Sequence, residues 1–133
     1  MASPLLLDTD VLIDYLHGQP DAVAFLRKTR RSLFVSAVTV AELHVGVREG
    51  AERPVLERFL GLMEVVAVTP DIARQGGLWR RDYGKSHGTG LMDALIAASA
   101  EMSGCTLATL NEKHFPMLET VLVPYRKASD RRR

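Results

Sequence analysis

The chain has 133 residues, 47% hydrophobic and 25% charged, which suits one domain with one core and excludes wholesale disorder. No apolar run reaches the roughly 20 residues of a membrane span, and the opening MASPLLLDTD has neither the basic start nor the long apolar stretch of a secretion signal, so a cytoplasmic location is expected. The net charge of +1 excludes a grip on nucleic acid by bulk positive charge, and the single cysteine, Cys105, excludes an internal disulfide framework and a cysteine-built metal cluster, leaving oxygen as the main metal donor.

Residues 4–7 (PLLL) read as a short buried strand, and from Asp10 the pattern VLIDYLHG changes to helical spacing that ends at Gly18. Residues 20–31 (PDAVAFLRKTRR) form a second helix with basic residues in its last turn, where the helix dipole favours them. LFVS at 33–36 is a strand, 39–49 a helix closed by Gly50, 53–63 another helix and 64–68 (EVVAV) another strand. Thr69-Pro70-Asp71 starts a helix expected to run to about Tyr83 and to break at KSHGTG. LMDALIAASAEM at 91–102 is an alanine-rich helix ended by Gly104. Residues 106–110 are a strand, 114–118 a turn or short helix, and 120–123 an edge strand. The tail 126–133 (RKASDRRR) carries five Lys/Arg and one acid and is expected to be flexible, which leaves 12 basic and 15 acidic residues in the domain, 1–125. Strands separated by helices predict an α/β fold, a mostly parallel sheet of four to five strands flanked by helices.

Ligands of such sheets bind beyond the carboxyl ends of the strands. Asp8 follows the first strand and Asn111 follows TLATL, while Glu42 lies about one turn into the helix after LFVS and Asp93 in the first turn after the glycine-broken loop. Gathered carboxylates repel one another and call for a cation, for which Mg²⁺ or Mn²⁺ suits oxygen donors. Such an ion activates water and neutralises phosphate, which is nuclease chemistry. Each acid also has an ordinary role: Thr39-x-x-Glu42 matches a capping box, Asp93 complements a helix dipole, and Asp8 caps the helix that follows it.

The segments LLLDTDVLIDYL, SAVTVAELHVG, GLMDALIAASAEMSGCTLATLNEKHF and VLVPY, in that order, resemble PIN-domain proteins of the VapC type, the ribonuclease toxins of bacterial and archaeal VapBC toxin–antitoxin pairs. The resemblance implies a PIN fold, a metal-dependent endoribonuclease, a cognate VapB-type antitoxin and a homodimer. By position it makes Asp8, Glu42 and Asp93 the metal-holding acids, with water as nucleophile. The fourth polar position is Asn111, an amide where an acid is also found in the family, so one well-held ion is expected, with Asn111 aligning phosphate or water. Thr9 stands at a hydroxyl position, either orienting water or serving as a turn residue.

Other signals lead elsewhere. Asp8-Thr9-Asp10-Val11 also resembles the nucleophile segment of haloacid-dehalogenase phosphatases, in which the first Asp attacks phosphorus. Against that reading, no adjacent acidic pair follows downstream, and Asp10 and Asp14 read as an N-cap and a rim acid. Gly84-Lys85-Ser86 is no phosphate loop, because Trp79 stands where the motif needs glycine. His114, in NEKHF, either packs a turn or contacts phosphate, and the Arg27, Lys28, Arg30, Arg31 cluster is either a solvated helix end or an RNA-steering patch. The 55–62 helix (VLERFLGL) offers apolar residues to the core, an antitoxin or a second copy. A PIN-like module that binds RNA or a partner without cleaving is the non-catalytic alternative, and Asn111 is its best support.

Overall fold

Three consecutive leucines open the chain's first strand, and the sheet is built outward from them. The computed structural model describes residues 2–126. Its strands are β1 (Leu5–Leu7), β2 (Leu33–Ser36), β3 (Glu64–Val66), β4 (Thr106–Ala108) and β5 (Val121–Leu122), and its helices are α1 (Thr9–Leu16), α2 (Pro20–Lys28), α3 (Ala37–Val45), α4 (Glu52–Leu60), α5 (Pro70–His87) and α6 (Leu91–Met102), with one 3₁₀ turn at Glu112–His114. All strand pairings are parallel, in the order β3-β2-β1-β4-β5. Leu5, Leu6 and Leu7 are each at most 1% exposed, and full burial of such a side chain contributes about 1.5–3 kcal/mol.

Because side chains of a strand alternate between faces, Leu5 and Leu7 enter one apolar layer and Leu6 the other. The first layer packs Leu12, Leu43, Leu56 and Leu60 from α1, α3 and α4. The second packs Ile96, Ala97 and Ala100 of α6 with Leu107 and Phe115. Small residues allow α5 and α6 to approach closely: a Cβ added at Gly76 would lie 2.6 Å from Leu95 Cδ2 and 3.2 Å from Leu95 Cα.

The chain steps from β1 to β2 to β3 on one side, then crosses to place β4 on the other side of β1. The connection therefore reverses between β1 and β4. At that point the Asp8 N–H donates to Ala108 O, 2.9 Å, and opens the crevice in which α/β sheets bind ligands.

Several element ends differ from the sequence reading. Ser36 caps α3 by accepting from Val38 N–H, so the helix begins before Thr39 and ends at Gly46 rather than at Gly50. Thr39 lies inside the helix and fully buried, which removes the capping-box role of Glu42. Helix α5 continues through Lys85-Ser86-His87 and stops at Gly88, whose φ of 67° forms a left-handed cap. Asp10 is in the first turn of α1, and the N-cap is Asp8. On α4 the apolar residues divide: Leu56 and Leu60 are buried, whereas Val55 is exposed, as is Leu62 just beyond the helix end. Of the tail, only Arg126 falls within the described residues, where it pairs with Glu112 at 3.2 Å. The expected flexibility of the tail, and the Lys127 to Arg133 charges, lie outside them. Among the described residues no helix is long and apolar enough to cross a membrane.

Candidate metal and active site

Asp8 sits at the reversal point and is 5% exposed. Its Oδ1 accepts from Thr9 N–H (2.8 Å), which caps α1, and its Oδ2 accepts from the Thr109 hydroxyl (2.7 Å) at the end of β4. Burial raises its carboxyl from 3.8 to about 7, aided by the Asp10 charge, opposed by the hydrogen bonds from Thr109 and Thr9, and raised further by Asp93. Asp8 and Asp93, separated by most of the chain, are thus close enough to repel.

Asp93 is in the first turn of α6. Its Oδ2 accepts from Gly90 N–H (3.2 Å) and faces His114 Nδ1 at 3.5 Å. The loop that carries it is tied to the 3₁₀ turn by the buried Thr89 hydroxyl, which donates to His114 O at 2.8 Å. His114 therefore lies beside Asp93, and its turn braces the loop.

Glu42 joins the group through hydroxyls. Thr9 Oγ1 donates to Glu42 Oε1 at 2.6 Å. Thr9 has a single hydroxyl proton, so the 3.0 Å contact between Thr9 Oγ1 and Thr39 Oγ1 has Thr39 as donor. The exposed Glu42 carboxylate is held on the Asp8 side of α3 by a residue next to Asp8 in the chain. Asn111 is held by its backbone N–H, which donates to Thr109 Oγ1 (3.0 Å), and by its side-chain Nδ2, which donates to Asp10 Oδ2 (3.3 Å).

Short contacts through Thr9, Asp10 and Thr109 thus link Asp8, Glu42 and Asn111 around β1 and β4, whereas Asp93, bonded to Gly90 and facing His114, meets Asp8 only through the repulsion of their charges. The roles of Asp10, Thr39 and Thr109 were not read from the sequence. Thr109 had one available signal, its place in Thr-x-Asn at a strand end. The Arg27–Arg31 cluster lies elsewhere: Arg31 Nε donates to Ser3 O at 2.7 Å, at the amino end of β1, opposite Asp8.

The donor set fits a hard divalent cation. It consists of oxygen atoms, one carboxyl is driven toward its neutral form chiefly by burial and further by neighbouring acids, and among the described residues neither Asp8 nor Glu42 pairs with Lys or Arg. The fit is one of charge and donor type alone, since among the described residues no three acidic, imidazole or thiol side chains are gathered so that they could hold an ion. Beside Glu42 runs an open groove of about 620 Å³ lined by Ala41, Val45, Val68, Met92 and Leu95, with Val45 89% exposed.

A parallel sheet of this order, with Asp8 at the carboxyl end of its central strand and further acids on the flanking helices α3 and α6, defines the class, and the sequence matches the PIN domain over residues 5–118. The chain belongs to the PIN domain family. It is 43% identical over 124 residues to Ribonuclease VapC10 of Mycobacterium tuberculosis, covering 91% of this chain and 92% of the relative. It is 39% identical over 124 residues to Ribonuclease VapC19 of the same organism, covering 90% and 98%. Among solved structures it is similar to a chain of a toxin–antitoxin complex from Klebsiella pneumoniae, with a TM-score of 0.80 and 27% identity, covering 92% of this chain and 99% of that one. Membership of this family sets aside the phosphatase reading of Asp8 and Asp10.

Proposed function

We propose that this protein is a Mg²⁺- or Mn²⁺-dependent endoribonuclease, the toxin of a toxin–antitoxin pair, acting in the cytoplasm. The observation that carries the reading is the buried Asp8 carboxyl at the β1/β4 reversal, under repulsion from Asp10 and Asp93, a charge arrangement that a divalent cation relieves. The ribonuclease names of its relatives and the toxin–antitoxin neighbour support the substrate class and the partner.

Asp8 and Asp93 would hold the ion, with Glu42 completing the set directly or through water. When bound, the ion supplies an activated water and neutralises phosphate charge. The chain's own residues do the rest. Thr9 fixes Glu42 in position to accept a proton, Thr109 holds Asp8, and Asn111 aligns the phosphate or water. The groove beside Glu42 gives an antitoxin segment or a second copy an apolar seat at the mouth of the site.

Cleavage of RNA by the purified chain with Mg²⁺, with Mn²⁺ and with EDTA tests the reading. Cutting that requires the ion and stops on chelation is expected. Cutting indifferent to EDTA overturns the metal assignment, and RNA left intact under all three conditions overturns the enzyme in favour of a binding module.

A further inference from the structure

Asp10 is not among the residues assigned to the chemistry, yet it gathers the turn that carries Asn111. Its Oδ1 accepts from Val11 N–H at 2.7 Å, and its Oδ2 accepts from Leu110 N–H at 3.1 Å and from Asn111 Nδ2 at 3.3 Å. Two of these bonds reach across about a hundred residues, from the first turn of α1 to the end of β4. A carboxylate only accepts, so the Asn111 amide must turn its NH₂ toward Asp10. Its oxygen is then the polar atom left to meet a ligand. Without that acceptor, either end of the amide is equally able to face the site.

We infer that Asp10 is a positioning residue that fixes the Asn111 amide with nitrogen turned inward and oxygen outward, so that a neutral side chain serves as an oxygen donor, while the negative charge at this corner sits on residue 10. The inference deepens the ribonuclease reading and rests on it for its purpose, but the hydrogen-bond pair exists whether or not RNA is cut.

A double-mutant cycle tests it, using Asp10→Asn, Asn111→Asp and the two combined, with Asp10→Ala as a second probe. Two readouts are taken on the full chain: urea unfolding in EDTA, and Mn²⁺ affinity by electron paramagnetic resonance. Asn111→Asp alone sets two carboxylates against each other and should raise the unfolding constant. Adding Asp10→Asn restores the acid–amide pair with its members exchanged, giving a coupling of about threefold or more. Asp10→Ala should weaken Mn²⁺ binding about tenfold, as loss of a ligand-orienting partner does, which a merely structural contact would not predict. Additive effects in the unfolding cycle overturn the inference, as does Mn²⁺ affinity that Asp10→Ala leaves unchanged. If the natural chain neither binds Mn²⁺ nor cuts RNA, the ribonuclease reading fails, and the unfolding cycle alone decides whether residues 10 and 111 act as a pair.

Discussion

Replacing Asp8 by Asn removes a titration while nearly preserving a shape, and its effect on stability follows from the site's electrostatics. In the ion-free protein the Asp8 carboxyl is raised from 3.8 to about 7, chiefly by burial. Between those pH values the folded chain keeps a proton that the unfolded chain releases. A folded state that binds more protons loses stability as pH rises, so the decline begins near pH 4 and is complete above pH 7. At about 1.36 kcal/mol per pKa unit the whole effect is about 4 kcal/mol, of which about 3 kcal/mol falls between pH 4.5 and pH 8. Asn cannot ionise, so the variant escapes this decline, although rearranging the Thr109 and Thr9 bonds costs about 1 kcal/mol at every pH. Urea unfolding of both proteins in EDTA at pH 4.5, 6 and 8 measures the difference, to which the coupled titration of Asp10 and Asp93 also contributes. The Asn variant should gain on the natural chain by about 3 kcal/mol across that range and become the more stable of the two at pH 8. Parallel stability curves would refute the claim that Asp8 is a strained, buried acid.

Asp93→Asn, and equally Asp8→Asn, should slow RNA cleavage by at least about a hundredfold through loss of charge around the ion, measured on a defined oligonucleotide; near-normal rates remove these residues from the site. Thr9→Val cuts Glu42 loose and should cost about tenfold in cleavage and about 1 kcal/mol in stability, with Thr9→Ser retaining both. Gly76→Val drives a side chain into Leu95 and should lower stability by about 1–3 kcal/mol without altering the pH dependence of unfolding.

Much of the fold was legible because local patterns and burial agree. The Leu91–Met102 helix was read to the residue from an alanine-rich stretch bounded by glycines, and strands spaced by helices required parallel pairing. Glycine costs about 1 kcal/mol in a helix interior, yet the helix passes Gly76, where α5 meets α6, as expected. The reading failed at its end: the helix continues through Gly84, and the left-handed Gly88 stops it a turn beyond Tyr83. Within the site, Asp8 was visible as an acid at a strand end. The tie of Thr9 to Glu42 spans 33 residues and that of Asp10 to Asn111 spans 101, and no spacing rule reports contacts of such separation. From its immediate neighbours alone Asp10 reads as a helix cap, a place that Asp8 fills.

The central position of β1 governs the order in which the molecule can be completed during synthesis. A growing chain that has emerged from the ribosome only through α5 already contains Asp8 and Glu42, but one flank of its innermost strand is bare, and the Thr109 hydroxyl that grips Asp8 has not been made. Nascent fragments therefore carry the acids without the frame that aligns them, and whatever this protein does to its target begins only when its last quarter has been translated.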